Sequence, residues 1–437
     1  MIRALLRHGA LAGLALTLAA CSWFESDPER LEGERIDVLG PERRLSADEG
    51  IQDREVQLPR PYINADWPQP GGNPPHAMFH LDLADDPSLA WSVDVGESSG
   101  DRQQVMSQPV VAGGRVYAMD AAATVGAYNA DNGRRVWRRE LIDDTDGVFG
   151  GGAAFADGRL FVTTGAGRLF ALDAETGETL WRYDASAPMR AGPTVRDGRV
   201  YAVTIINETV ALSAEDGSEL WTHQGIEEQA GLLGSASPAA TAAAVYVAYS
   251  SGELFALLPE NGRSLWSDSL AGIARTDSVA NLTDVRAKPV ADGNRVYAVS
   301  NANRMTAIDT RRGARVWDKR LSGIEMPWVA GDWLFMVTVR GELLALERET
   351  GQIRWVRELA RWEDPEDRDG PIVWQGPVLA GDRLVLLGSH GKAVSVSPYD
   401  GEVLGAIDIP GRPAVPPVVA DETLYILTDG ATLAAYR

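Results

Sequence analysis

Cysteine is almost absent from this chain of 437 residues: Cys21 is the only one. A single thiol rules out an internal disulfide framework, a CxxC redox pair and a CxxCH haem attachment together. Histidine is scarce too. Of five, His8 falls in the N-terminal segment, and His76, His80, His223 and His390 show no ligand spacing for zinc. Positive charge is in deficit, with 41 Lys plus Arg against 62 Asp plus Glu and a net charge of −21. A phosphate backbone would be repelled overall, so the composition speaks against nucleic acid as a partner. No GxSxG elbow occurs, and GAGR at 165–168 and SHGK at 389–392 lead into neither a GK[ST] ending nor a phosphate-binding helix. Paired carboxylates such as Asp143-Asp144 read as solvated loop residues. The expectation is a protein with no catalytic group, no cofactor and no metal.

The N-terminus carries Arg3 and Arg7 ahead of an apolar run from Gly9 to Ala20. That run is shorter than the ~20 residues a spanning helix needs, and it reads as an export signal. Leu18, Ala19, Ala20 and Cys21 resemble a bacterial lipobox, in which the signal is cut before the Cys and the new terminus is acylated. By resemblance to lipoprotein sorting signals, Ser22 in place of Asp directs the product to the outer membrane, on its periplasmic side. The surface is too acidic to hold an anionic membrane, so the lipid on Cys21 must provide the attachment. Residues 22 to about 60 are charged and punctuated by Pro, which suits a flexible acidic tether. PYINADWPQPGGNPPH, 61–76, has too much Pro and Gly for regular structure and is expected to lie across the surface of the folded body. The expected division is a signal at 1–20, lipidated Cys21 with its tether at 21–60, and one folded body at 61–437.

What the chain has in plenty is a repeat. ALDAETGETLW, residues 171–181, sets an Ala, a Gly six residues on and a Trp four further. The same spacings occur at Ala127/Gly133/Trp137, Ala171/Gly177/Trp181, Ala211/Gly217/Trp221, Ala256/Gly262/Trp266, Ala307/Gly313/Trp317 and Ala345/Gly351/Trp355. A seventh copy keeps Ser395 and Gly401 but has Gly405 at the Trp position. From Trp91 to Gly405 the intervals are 46, 44, 40, 45, 51, 38 and 50 residues, a period that marks a solenoid, an array or a propeller.

Within one unit GAAFADG, RLFVTTG, RLFALDA and ETLWRYD read as four short antiparallel strands broken at Asp157-Gly158, Ala166-Gly167 and Thr176-Gly177. Each strand alternates, so a four-stranded blade has two faces to bury and cannot do so alone. Closing the blades into a ring solves that and shelters strand edges. Seven units end between Trp137 and Gly405, and the stretch from Pro413 to Arg437 supplies three more strands without a fourth. The missing strand stands at the other end of the folded body, as LAWSVDV around Trp91. The fold class is therefore all-β: an eight-bladed propeller of four-stranded antiparallel blades, closed by pairing the N- and C-terminal strands. In each unit the Gly permits the positive φ of a tight turn, the small Ala leaves room for a ring, and the Trp spans the gap to a neighbouring blade.

The repeat resembles the tryptophan-docking motif of the quinoprotein alcohol dehydrogenases, eight-bladed propellers that hold pyrroloquinoline quinone and calcium at the ring centre. That resemblance implies, as an alternative, a periplasmic PQQ-dependent dehydrogenase. The vicinal disulfide many of those enzymes use is impossible with one Cys, and the compact repeats lack their large insertions. A closer resemblance spans nearly the whole mature chain. The lipobox, the tether, the repeats, NLTDVRAKPVADGNRVYAVS at 281–300 and MPWVAGDWLFMVTVRGELLAL at 326–346 are similar to the BamB family, lipoprotein propellers of the outer-membrane barrel assembly machinery. The resemblance implies a scaffold without enzymatic activity that binds the POTRA domains of BamA and helps present unfolded outer-membrane proteins. The family's partner surface corresponds to AGLLGSASP, 230–238, and NLTDVRAKP, 281–289. Leu232 matches an apolar contact, Ala230 a weaker one and Asp284 an acidic one. Leu233 stands where enterobacterial members have Arg, and Arg286 where they have a second Asp, so the charge pairings are rearranged. In the insertion at 360–377, Trp362 and Trp374 are read either as a peptide-binding surface or as core.

Overall fold

Each repeat folds as the hairpin breaks dictate, into one sheet of four antiparallel strands laid side by side in chain order. In a computed structural model, which describes residues 45–143, 148–227, 234–271 and 285–437, Ser46–Arg437 forms one compact unit. Among the described residues there are eight such sheets and no helix. Blades 1 to 7 span 110–140, 151–184, 194–224, 239–269, 290–319, 328–358 and 374–408. Blade 8 takes three strands from 418–436 and its fourth from Leu89–Asp94, with Trp91 opposite Ala435. Ser88 and Arg437 exchange backbone hydrogen bonds at 2.7 and 2.9 Å, which closes the ring between its two ends as expected.

The second and third strands of the blades are mostly buried, whereas the fourth is exposed along most of its length in every blade but blade 6, where Ile353–Glu358 is largely covered. The repeat motif explains how neighbouring blades meet. Across the second, third and fourth strands of blade 2, Phe161, Ala171 and Trp181 stand in one row. The equivalent rows elsewhere are Tyr117-Ala127-Trp137, Tyr201-Ala211-Trp221, Tyr246-Ala256-Trp266, Tyr297-Ala307-Trp317, Phe335-Ala345-Trp355 and Tyr425-Ala435-Trp91. The small Ala lets the aromatic ring and the indole approach across it, with centroids 5.8 to 6.2 Å apart. Each indole then reaches the next blade. Trp181 Nε1 donates to the Ala214 carbonyl at 3.2 Å, and its ring lies on Gly217, where a Cβ would meet it at 2.6 Å. The turn glycine thus has two reasons to be Gly: a φ of +74° and the indole of the preceding blade. Composition and spacing show only the first.

The segment from Tyr62 to Leu83 departs from its expected course across the surface. It runs around the inside of the ring and meets the innermost strand of each blade in turn. Asn64 bonds blade 8 through Val419 and Asp421, Trp67 exchanges backbone bonds with Val111 of blade 1, and the Pro68 carbonyl accepts from Phe155 of blade 2. The Gln69 amide clasps Val195 of blade 3, Pro74 and Pro75 accept from Ala240 and Ala291 of blades 4 and 5, the Phe79 carbonyl accepts from Trp328 of blade 6, and Leu81 bonds Leu379 of blade 7. The inner edge of every sheet would otherwise present unpaired backbone groups. Proline suits this place because its carbonyl still accepts while its missing N–H leaves no donor to satisfy. Trp67, His76, His80 and Leu81 are buried as a result.

The folded body also begins before residue 61. Ile51 and Val56 are buried, Ile353 N donates to Asp48 Oδ2 at 2.8 Å, and the Arg54 guanidinium lies 5.6 Å from the Trp333 ring while pairing with Asp332 and Glu347. Residues 46–60 are therefore a strap on blade 6, because the two apolar residues and Arg54 find partners that composition does not reveal. The stretch assigned to a tether shortens accordingly.

Trp181→Ala is expected to lower unfolding stability by about 3–5 kcal/mol, the range for a truncated core Trp. Gly217→Ala should also destabilise, and in urea unfolding the double variant should lose less than the two singles together; strict additivity would mean that the two residues do not act as one contact. Burial holds the His76 imidazole down to about 3, with Nδ1 bonded to the Pro289 carbonyl at 2.8 Å. Its neutral form stabilises the fold above the ordinary value of 6.5, and that stability drains as pH falls from there toward 3. Relative to wild type, His76→Gln should therefore become more stable by up to about 1.4 kcal/mol per pH unit as pH is lowered from 6 to 4.5. A pH-independent difference would contradict this.

Candidate partner-binding face and axial funnel

The connection leading into each blade's first strand comes to the propeller axis, so residues scattered over 300 positions become neighbours. Gln108, Gly152, Arg190, Ser237, Arg286, Glu325, Gln375 and Pro416, one from each blade in order, enclose an axial cavity of about 150 Å³. Its floor is the circling N-terminal segment. Pro70 lines the cavity, and beyond it Trp67 stacks on Trp328 at 6.3 Å and 21°. The channel is thus stoppered from one side and funnel-shaped on the other, where the blade-to-blade connections lie.

Arg190, Arg286 and Lys288 bring three cations into this funnel against the one carboxylate of Glu325. Depth within the protein pushes the Glu325 carboxyl up to about 7, against the pull of Arg286 and Lys288, and lowers the Lys288 amine for the same reason. Arg190 Nε and Gln375 Oε1 are buried with no hydrogen-bond partner among the described residues. Left dry, each such group would cost about 1–3 kcal/mol.

Of the residues assigned to the partner surface, Ala230, Leu232, Leu233 and Asp284 lie outside the described residues, as does Cys21. Arg286 is described, half-buried on the funnel wall. The two connections flanking these positions do meet: a Cβ on Gly234 would come within 2.7 Å of Arg286 Nε. On one side Ser237 donates to the Gly192 carbonyl at 2.8 Å; on the other Val285 and Ala287 are buried. Arg286 thus stands between a packed base and an open cavity. Arg190, Lys288 and Glu325 escaped sequence reasoning, although the repeat contained a signal: each lies two to four residues before a first strand.

The 360–377 insertion forms a small hairpin, Trp362–Asp364 with Asp369–Pro371. Trp374 is core: it is buried, donates to the Ala360 carbonyl at 2.8 Å and meets His390 edge-on at 5.4 Å. Trp362 is half-buried. His223 is accounted for by a hydrogen bond of 2.8 Å to the Tyr249 hydroxyl and a stack on its ring. Among the described residues no group of three His, Cys, Asp or Glu side chains converges as a metal site.

Fold and site together define an eight-bladed propeller of the tryptophan-docked kind. Solved structures place it in that class: BamB from Moraxella catarrhalis matches with a TM-score of 0.67 at 18% identity, over 80% of this chain and all of that one. Quinohemoprotein alcohol dehydrogenase from Comamonas testosteroni matches at 0.65 and 15% identity, over 85% of this chain and 80% of that one. Sequence separates the two. A family profile described as outer membrane protein assembly factor BamB matches residues 81–145 and 121–357. The outer membrane protein assembly factor BamB of Salmonella typhimurium is 31% identical over 80% of this chain and 89% of its own, and that of Escherichia coli is 31% identical over 79% and 88%. The chain belongs to the BamB family of outer membrane protein assembly factors.

The funnel does not fit the quinone and calcium of the dehydrogenases that share the fold. Its volume of about 150 Å³ is below the roughly 300–1,000 Å³ usual for cofactor sites. Its single carboxylate faces cations, where Ca²⁺ would need about 6–8 oxygen ligands.

Because the Glu325 carboxyl is raised toward 7 from the usual carboxylate range, its stabilising protonated form is complete below about 4.5 and is lost as pH rises through 7. Glu325→Gln should be more stable than wild type at pH 8 and equal to it near pH 4.5, read from urea midpoints. An advantage that grows as pH falls would show the assigned direction to be wrong.

Proposed function

We propose that this chain is a non-enzymatic scaffold lipoprotein of the outer-membrane β-barrel assembly machinery, anchored by acylated Cys21 on the periplasmic side of the outer membrane. In this reading the connections at 230–238 and 281–289 bind the POTRA domains of BamA, and the ring helps to present unfolded outer-membrane proteins for insertion. The observation that carries it is 31% identity to assembly factors over four fifths of this chain and nearly nine tenths of theirs. The meeting of Gly234 with Arg286 supports it further, since two connections distant in sequence form one face. A stoppered axis and a small, polar-lined funnel suit a scaffold better than a redox enzyme.

Calorimetric titration of soluble residues 22–437 against the POTRA region of the same organism's BamA tests this reading. Asp284→Arg and Arg286→Glu should each weaken binding about tenfold, or ~1.4 kcal/mol, with the wild-type complex weakening as salt is raised. Undiminished binding by both variants would move the contact elsewhere on the ring. Absence of binding by the wild type would remove the partner assignment, and quinone absorbance after reconstitution with calcium would replace it with the dehydrogenase.

A further inference from the structure

Seven of the eight blade junctions are filled by an indole, and the eighth is not. In blade 7 the row that elsewhere reads aromatic, Ala, Trp is Val385, Ser395, Gly405. Both rings of the dock are missing at once. The receiving side is altered as well, because blade 8 is assembled from the two ends of the folded body and has no turn between its third and fourth strands. In place of a turn glycine the segment 83–87 passes by.

The result is a cavity of about 280 Å³ between blades 7 and 8, walled by Val385, Ser395, Gly405, Leu424, Leu83 and the stem of Arg383. A Cβ built on Gly405 meets nothing within 4 Å, so the space starts at the backbone where the indole would have begun. An apolar cavity of about 150 Å³ is enough to take benzene, and nearly twice that volume accommodates a bicyclic ring. Asp85 and Asp86, both exposed, contribute to its lining; the Arg383 guanidinium, which donates to the carbonyls of Ala84 and Asp85, attracts both carboxylates and offsets one of the two charges, so one negative charge is left over. The mouth is therefore acidic.

We propose that this vacant tryptophan dock is a binding site for an aromatic side chain, tryptophan above all, on an extended polypeptide that carries a basic residue beside it. The other seven junctions show what this place in the fold accepts, and the two carboxylates at the mouth set the charge of the flanking residue. Burying such a ring removes roughly 150–250 Å² from water, which suits a weak, reversible contact. The site lies between blades 7 and 8 and shares no residue with the 230–238 and 281–289 connections, so it stands or falls independently of the POTRA reading.

The test is titration of residues 22–437 with three peptides, Ac-Lys-Trp-Lys-NH2, Ac-Glu-Trp-Glu-NH2 and Ac-Lys-Ala-Lys-NH2, followed by heat or by ligand-observed NMR. The first should bind at least fivefold more tightly than the second, with no measurable binding of the third. Gly405→Trp rebuilds the repeat and should abolish binding while keeping or raising the unfolding midpoint. Should that variant fail to fold, Ser395→Leu, which narrows the cavity from the next strand, should weaken binding about tenfold. No binding of the first peptide, equal binding of the Ala peptide, or affinity unchanged in the filled variant would each overturn the site. Equal affinity for the first two would overturn the role of the acidic mouth.

Discussion

The indole of one blade lying on the turn glycine of the next is the contact on which the ring depends. A four-stranded sheet with two apolar faces is not stable by itself, and the dock sets how closely the next sheet approaches. It couples three requirements at separate points of the repeat: a ring on the second strand, a small residue on the third and a glycine after it. Loss of any one removes the fit of the others. The same dependence explains why the motif persists with so little tolerance in spacing while the strands around it vary.

Docking settles the outer part of the ring but leaves the axis unsolved. Eight first strands point unpaired backbone groups at a common channel, and water alone would have to satisfy them. The segment from Tyr62 to Leu83 answers that demand with carbonyls, an Asn and a Gln amide, and the rings of Trp67 and Trp328 fill the remainder. With one side of the axis closed, Arg190, Arg286, Lys288 and Glu325 collect on the opposite one, where the blade connections converge.

Blade 7 shows what happens when the rule is relaxed. The seam where the ends of the folded body meet is held by Ser88 with Arg437 and by Arg383 on the 84–85 carbonyls. The first pair closes blade 8 itself, and the Arg383 guanidinium, not an indole, links blade 7 to the segment that enters it. That substitution leaves space, and space bounded by apolar walls and two carboxylates has chemical character of its own. An interruption in a repeat is thus as informative as the repeat, since every other copy defines what is missing.

Much of the architecture was legible from the chain. The spacing of Ala, Gly and Trp gave the blade count, and the incomplete last unit gave the closure that places Trp91 opposite Ala435. Less was legible at the site. Arg286 was singled out through resemblance, whereas Arg190, Lys288 and Glu325 join it only because their blades meet at the axis. Residues 46–60 and 61–83 looked irregular because their partners are distant edges and side chains, not a periodicity of their own. Sequence by itself determined the repeating unit, its number and its docking residues, since those rest on local strand alternation and fixed spacing. Only the tertiary structure decided what stoppers the axis, which charges share the funnel and where a dock stands vacant, because each of these depends on which surfaces ring closure brings together.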